Sequence, residues 1–304
     1  MIALLNYLRS LRGFDVNLCL NKKIEIINNF FRKNNLDSVV IGLSGGIDSS
    51  VVYSLLIAAA YTKDSPIKIV RGLSLPILKS NGVTGQKEAC EKAYQLYHEQ
   101  LKHYSPYYRI QFEIEDLSIA MKSLSDRSSN DWANGQLASI LRTPVLYYHA
   151  AILQSYGHKS IVGGTTNRDE GSYIGFYGKA SDGMVDLQPI ADLHKSEIYK
   201  LANLLNIPEN IITSIPKGDV FDDRTDEQMI GAPYWFIELF ALIKDYIKTH
   251  VNEILYLMTK FSIDEHKSFR TYTDNIQKLH DINKHKYEVG SPAHYLDIYP
   301  RKVT

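Results

Sequence analysis

The sequence predicts an α/β protein in which a doubly wound parallel sheet has helices on both faces and a helical extension follows at the C-terminus. Three observations predict it. Short β-rich apolar runs alternate with segments of helical period over most of the chain. One run, VVIGL at 39–43, passes through Ser44-Gly45-Gly46 straight into a second apolar segment, the pattern of strand, turn and helix. Beyond about residue 233 the remaining long segments are helical in period. With 304 residues, 44% of them hydrophobic and 22% charged, a single domain is expected over 1–304, its core at about 20–232 and the extension at about 233–304.

The elements follow in order. Asn21 to Asn35 sets Ile24, Ile27, Phe30 and Phe31 on one stripe, which predicts an amphipathic helix. Ser38 to Leu43, bounded by that helix and by Ser-Gly-Gly, is a buried strand. Ser49 to Tyr61 is helical, Ile67 to Leu75 a strand, Val83 to Leu101 a long helix, and Tyr108 to Ile114 a strand with alternating faces. Pro106 and the Ser/Asp stretch 123–130 mark loops. Asp131 to Tyr156 is mostly helical, and Ser160 to Val162 opens a further short strand. Gly163 to Asp186 is glycine-rich with charges scattered through it, too long for a connector, so a functional loop is expected. Asp192 to Leu205 is a helix with Asp192 as its cap. Pro216 to Glu227, PKGDVFDDRTDE, is a polar, acidic, mobile segment. Tyr234 to Lys260 and Asp264 to Lys284 are helices unaccompanied by a further strand, an appendix that offers an oligomer surface.

Composition narrows the function classes. Lys plus Arg and Asp plus Glu both number 34, so no excess of charge calls for nucleic acid or a membrane surface. Any phosphate site is therefore local. The two cysteines, Cys19 and Cys90, stand in no metal-binding or redox spacing and suit a reducing, cytoplasmic setting as small core residues. The N-terminal MIALLNYLRSLRGFDVN is too short in its apolar run for a leader, and Arg9 and Arg12 lie on the wrong side of it. No apolar run of the length of a membrane span, about 18 residues, occurs.

The segment SGGIDSS carries the chemistry. A strand that runs through small residues to a helix N-terminus converges backbone N–H groups in front of the positive end of the helix dipole, which suits a phosphate. Gly45 and Gly46 let the backbone approach the phosphate oxygens, and Ser44 and Ser49 add hydroxyls. Asp48 has no business with an anion unless a divalent cation lies between them, and oxygen-ligated Mg²⁺ fits that position. The segment lacks the second glycine and the lysine of GxxxxGK[ST].

SGGIDSS after an apolar strand resembles the pyrophosphate loop of the N-type ATP pyrophosphatases. GGTTNRDE (163–170), SDGMVDLQPIADLHKSEIYKLA (181–202), RTDEQMIGAPY (224–234) and KHKYEVGSPAHY (284–295) follow in the order and approximate spacing of the NAD synthetases of that superfamily. The resemblance covers about 14 to about 300. It implies an adenine nucleotide alpha hydrolase-like fold and a two-step amidation. The carboxylate of nicotinic acid adenine dinucleotide attacks the α-phosphorus of ATP, which releases pyrophosphate, and ammonia then displaces AMP from the acyl-adenylate. Cytoplasmic homodimers are implied as well.

Carried over position by position, the resemblance puts Gly42, Ser44, Gly45, Gly46, Asp48, Ser49, Leu75, Thr165 and Lys195 against ATP and its pyrophosphate. Asp48 and Glu170 are the implied Mg²⁺ ligands. Lys195, in LHKSE, is the implied phosphate-contacting lysine, which makes it catalytic together with Asp48. Asp182 on the DG motif is the implied third catalytic group, orienting ammonia or accepting its proton. Arg142, Lys179, Asp182, Asp186, Lys217, His285 and Lys286 are implied substrate contacts.

Some positions depart from the family pattern. Ser74 precedes Leu75-Pro76 where arginine is frequent, Ile140 replaces the first of two arginines of which Arg142 is the second, and the segment from Glu170 to Gly175 is one residue longer. Lys217-Gly218-Asp219 replaces a small hydroxyl residue before an aspartate, and Tyr287 stands where arginine is common. Lost arginines alter anion recognition, because neither lysine nor tyrosine reproduces the bidentate fork. The same chemistry on the mononucleotide or another carboxylate stays open beside the dinucleotide. The chain has no room for the amidohydrolase domain of glutamine-using members and no N-terminal nucleophilic cysteine, so ammonia is the expected donor unless a separate glutaminase docks. A tRNA-thiolating enzyme is disfavoured by balanced charge and the lack of paired cysteines. A nucleotide sensor is disfavoured by the joint presence of Asp48, Glu170 and Lys195.

Overall fold

The structure is a computed structural model and describes residues 1–77, 84–104, 109–125, 129–216, 224–286 and 294–299. Its elements are α1 Ile2–Arg12, α2 Val16–Lys33, β1 Ser38–Gly42, α3 Ile47–Ala60, β2 Ile69–Ser74, α4 Thr84–His103, β3 Ile110–Ile114, α5 Ser118–Ser125, α6 Asp131–Ser155, β4 Ser160–Gly163, α7 Arg168–Gly171, β5 Leu187–Gln188, α8 Lys195–Leu204, α9 Glu209–Ile212, α10 Asp226–Ile230, α11 Tyr234–Tyr246, α12 Val251–Met258, α13 Ile263–Asn283 and β6 His294–Tyr295. All strands pair in parallel, in the order β3-β2-β1-β4-β5-β6. The chain builds outward from β1 in one direction and then, from β4, in the other. The reversal between β1 and β4 opens a crevice at the carboxyl ends of the strands, where ligands of open α/β sheets bind.

The period of two along β1 divides the core. Val39 and Ile41 join Phe31 of α2, Leu56 of α3 and Ile198 of α8 on one face. Val40 joins Leu73, Val162 and Ala138 and Leu153 of α6 on the other. Both faces of the central strands are therefore covered, which is why VVIGL reads as one continuous apolar run. A third apolar cluster lies apart from the sheet: Leu4, Leu5 and Leu8 of α1 pack with Phe236, Leu239 and Leu242 of α11, Ile254 of α12 and Ile276 of α13.

The expected doubly wound sheet and C-terminal helices are present, with corrections in detail. The N-terminal segment, for which the sequence predicts no element, is a helix. Its leucines had no visible partner in the sequence because that partner is α11, more than two hundred positions on. The next helix starts at Val16, where the Asp15 carboxylate accepts from the Leu18 amide at 2.7 Å. Residues 118–125 form α5 although 123–130 was expected to be loop. The predicted helix 234–260 is two helices, α11 and α12. The expectation that the C-terminal helices follow no further strand fails at β5, and β6, after those helices, adds to the sheet beside it.

Asp192 is not a helix cap. The cap of α8 is His194. Asp192 is wholly buried, accepts from Lys23 Nζ at 2.5 Å, and takes the amides of Ile298 and Tyr299 at 3.0 and 3.3 Å. Lys23 Nζ also donates to the Leu296 carbonyl at 2.8 Å. A buried ion pair thus ties the chain after β6 to α2. Lys217, Gly218, Asp219, Tyr287 and Pro106 lie outside the described residues.

Candidate active site

The loop between β1 and α3 sits at the sheet's reversal. Gly45 has φ +76°, a left-handed conformation costly for any residue with a Cβ, and a Cβ there would meet the Ala89 carbonyl oxygen of α4 at 2.7 Å. Gly46 is the N-cap of α3. The Ser44 amide donates to Ser49 Oγ at 3.3 Å, the two hydroxyls are 3.1 Å apart, and the Gly46 amide donates to Ser44 Oγ at 3.3 Å. Ser49, buried, also donates from Oγ to the Gly46 carbonyl at 3.1 Å, so it holds the loop to itself, whereas Ser44 is exposed. Gly42 ends β1 directly below.

Asp48, in the first turn of α3, meets residues from two distant segments. Lys195 Nζ donates to Asp48 Oδ2 at 2.5 Å and to Glu170 Oε1 at 3.3 Å. The Tyr234 hydroxyl donates to Glu170 Oε1 at 2.6 Å and lies 3.3 Å from Asp226 Oδ2. The Lys195 ammonium is also 4.8 Å from the Tyr234 ring centroid. The structure thus brings Asp48, Glu170 and Lys195 together, as the motifs required of one site, although 119 or more residues separate Asp48 from its partners.

The charges do not balance. Burial pushes the Glu170 carboxyl up, Lys195 opposes this, and Asp48 and Asp226 add to it, which leaves it at about 7 against an ordinary 4.5. For Lys195, burial favours the neutral amine, but Asp48 and Glu170 outweigh it and raise the pKa. Tyr234 is raised by burial and then by Glu170 and Asp226. One ammonium facing two carboxyl groups leaves an excess of acid that the raised Glu170 pKa offsets by retaining a proton, a place that a further cation can take. Among the described residues no three His, Cys, Asp or Glu side chains gather as a ready cage. Asp48 and Glu170 fit Mg²⁺, which is commonly held by one or two carboxylates together with substrate phosphates.

Sequence reasoning missed several residues that build this place. Asn167 Nδ2 donates to Asp48 Oδ1 at 3.0 Å while its Oδ1 caps the Glu170 amide at 3.0 Å. Asp169, Tyr234 and Asp226 were also unassigned. All four lie inside NRDE and RTDEQMIGAPY, so the motifs marked the segments, but nothing in their spacing showed which side chains turn inward.

Of the other expected contacts, Lys179, Asp182, His285 and Lys286 form a second group, and Arg142 and Asp186 lie apart from it. Lys179 Nζ donates to the His285 carbonyl at 2.9 Å, and Lys286 Nζ donates to the carbonyls of Gly175, at 2.7 Å, and Tyr177. Burial lowers the Lys286 pKa and Lys179 adds to this, against the pull of Asp182. Asp182 is exposed, and its carbonyl accepts from Gln188 Nε2 at 3.0 Å. Gln188 Oε1 in turn accepts from the Thr166 amide at 3.3 Å, so one side chain joins the DG turn to the segment of Thr165 and Asn167. Arg142 Nε donates to the Leu75 carbonyl at 2.9 Å. Asp186 accepts from the Tyr147 hydroxyl at 3.1 Å and the Val162 amide at 2.8 Å, which holds β4. Of the departures, Ser74 is buried with Oγ 3.3 Å from Cys90 Sγ, and Ile140 is 41% exposed on α6.

Comparison with known proteins gives a consistent result. The NAD synthase family profile matches residues 19–290. The NH(3)-dependent NAD(+) synthetase of Thermoplasma volcanium is 33% identical over 216 residues, 70% of this chain and 79% of that protein. That of Archaeoglobus fulgidus is 28% identical over 281 residues, 91% of this chain and 98% of that protein. Among solved structures, an NMN synthetase from Francisella tularensis has a TM-score of 0.65 at 23% identity, over 90% of this chain and 96% of that one. An NH3-dependent NAD synthetase from Campylobacter jejuni has a TM-score of 0.59 at 23% identity and the same coverage. At these identities the two structures speak to the fold.

Proposed function

Because the chain belongs to the NAD synthase family, we propose that it amidates nicotinic acid adenine dinucleotide to NAD with ATP and ammonia. The carboxylate attacks the α-phosphorus of ATP, pyrophosphate leaves, and ammonia displaces AMP from the acyl-adenylate. Activation is needed because a carboxylate resists amine attack, whereas its mixed anhydride with AMP has a good leaving group. The observation that carries the reading is the meeting of Asp48, Glu170 and Lys195 beside the Ser44–Gly46 loop.

Each group has a role in this proposal. The loop amides and the hydroxyls of Ser44 and Ser49 hold the departing pyrophosphate, and Lys195 stabilises charge that develops there. Mg²⁺, held by Asp48 and Glu170, would neutralise phosphate charge. Thr165, Gly42 and Leu75 border the nucleotide. Lys179, Asp182, His285 and Lys286 border the acid and the incoming ammonia, with Asp182 taking the ammonia proton. Arg142, Asp186 and Lys217 complete the substrate contacts. We also propose a cytoplasmic homodimer. Among the described residues no helix is long and apolar enough to cross a membrane. Trp132, Ile140 and Tyr148 of α6 and Ile119 of α5 remain exposed, 41% to 87%. They offer a candidate dimer surface in addition to the C-terminal helices suggested by the sequence.

A second reading has the same chemistry act on the mononucleotide. Ser74 and Ile140 favour it, because two anion-binding arginines of the family pattern are replaced by a buried hydroxyl and an exposed apolar side chain. The test is direct. Purified protein is incubated with ATP, Mg²⁺, ammonium and either acid, and AMP, pyrophosphate and amide are measured. NAD formation from the dinucleotide at the higher kcat/KM supports the primary reading. Preference for the mononucleotide replaces it, and amide from neither acid refutes both.

A further inference from the structure

We propose that Asp169 and His194 are positioning residues that hold Lys195 against Asp48 and Glu170. The inference rests on the reading of Lys195 as the lysine that serves ATP. Glu170 and Lys195 approach to 3.3 Å across 25 residues of chain, and they come from two separate turns. Each has an anchoring residue as its immediate neighbour. Asp169 Oδ1 accepts from His194 Nδ1 at 2.6 Å, and its Oδ2 accepts from the Lys195 amide at 2.7 Å. The Arg168 amide donates to the Leu193 carbonyl at 2.9 Å, which adds a third bond between the same two turns.

The clamp is dry. The side chains of Asp169 and His194 are both 0% exposed. His194 Nε2 has no hydrogen-bond partner among the described residues, so the contact with Asp169 is the ring's polar anchor. Burial disfavours the Asp169 carboxylate, but His194 and the Lys195 amide outweigh it and keep its pKa below the ordinary value. The carboxylate thus accepts two bonds at once, one orienting the imidazole and one fixing the first residue of α8. Lys195 is that residue, so the direction of its side chain is set where the helix starts. With the backbone fixed there, the Cα–Cβ bond of Lys195 aims into the cluster, and burial together with the ion pairs to Asp48 and Glu170 orders the rest of the side chain, which is the preorganisation a charge-stabilising group needs. Neither anchor needs to touch substrate to do this.

Asp169→Asn keeps the shape but turns one acceptor into a donor. With the amide oxygen facing the Lys195 N–H, His194 must accept at Nδ1 and carry its proton on Nε2, which has no partner among the described residues; with the oxygen facing His194, two donors meet at the Lys195 N–H, so one bond of the clamp is lost in either orientation. The experiment is a double-mutant cycle on ATP-dependent pyrophosphate release with nicotinic acid adenine dinucleotide. Thermal melts establish that each variant is folded. Asp169→Asn is expected to lower kcat on the order of 10- to 100-fold alone, but by less than about 3-fold in a Lys195→Ala background, because the residue it positions is gone. His194→Asn, which keeps a donor, should retain at least about 5 times the rate of His194→Ala. Equal losses in both backgrounds would show a general structural role and overturn the proposal, as would an unimpaired Asp169→Asn. If Asp169→Asn does not fold, the His194 pair is run through the same cycle with the same criteria. A Lys195→Ala variant with the parent's rate would refute instead the reading on which the proposal rests.

Discussion

Gly45→Ala tests the loop that the whole site depends on. At φ +76° an L residue suffers the left-handed penalty, about 1–2 kcal/mol. The new Cβ would also lie 2.7 Å from the Ala89 carbonyl oxygen and 2.8 Å from its Cα. Both are backbone atoms of α4, so no rotamer change relieves the contact. The helix must move or the Gly45 peptide must turn, a small-to-large insertion that costs about 1–3 kcal/mol. The sum is roughly 2–5 kcal/mol, and in a chain of 304 residues the melting temperature should fall by about 3–8 °C. If the peptide turns, the Gly46 amide leaves its 3.3 Å contact with Ser44 Oγ, and the nest for pyrophosphate opens. The assay pairs thermal melts with KM for ATP, and both should deteriorate together. A variant that melts within about 1 °C of the parent and keeps its KM would refute the argument that this backbone requires glycine.

Four further outcomes follow from the site. In metal-free protein Glu170 titrates at about 7 instead of 4.5, so the folded state binds its proton more tightly than the unfolded one. This contribution to stability is complete below about pH 4.5 and is lost as pH rises through 7; Glu170→Gln should flatten that slope in melts run with chelator, and an unchanged slope would count against it. Asp48→Asn should reduce pyrophosphate release by at least about 100-fold at every Mg²⁺ concentration while the fold persists, and activity near the parent's would rule out its metal role. Asp182→Ala should slow amide formation by at least about 10-fold more than pyrophosphate release; equal decline of the two steps, read from quenched time courses, would contradict its part in the ammonia step. Trp132→Glu should halve the mass seen by light scattering if α6 carries the dimer contact, whereas a monomeric parent, or dissociation only with Leu255→Glu on α12, would move or remove that surface.

Much of the fold was legible because its signals are local. The strand VVIGL, the turn at Ser44-Gly45-Gly46 and the helix after it need only neighbours a few positions apart, and the alternation with later runs was enough to predict a parallel sheet. Helix ends were less legible. Asp192 looked like a cap by residue type, but its carboxylate is taken by Lys23 and the amides of Ile298 and Tyr299, contacts from both ends of the chain. Helix α1 was missed for the same reason: Leu4, Leu5 and Leu8 form a helical face that only α11 and its neighbours cover. Strands β5 and β6 have two residues each, too short for any period to show.

The sequence alone determined the family and the reaction it implies, because the phosphate loop and the ordered motifs after it are short-range patterns whose residue types are dictated by backbone freedom and charge. The tertiary structure decided how those motifs meet. That Lys195 lies between Asp48 and Glu170, that Asn167 bridges the same two acids, that Tyr234 closes the cluster and that Asp169 and His194 grip the start of α8 are consequences of strand order. The turns after β1, β4 and β5 converge because the sheet reverses between β1 and β4, a relation set by packing across both sheet faces and absent from any local stretch of residues.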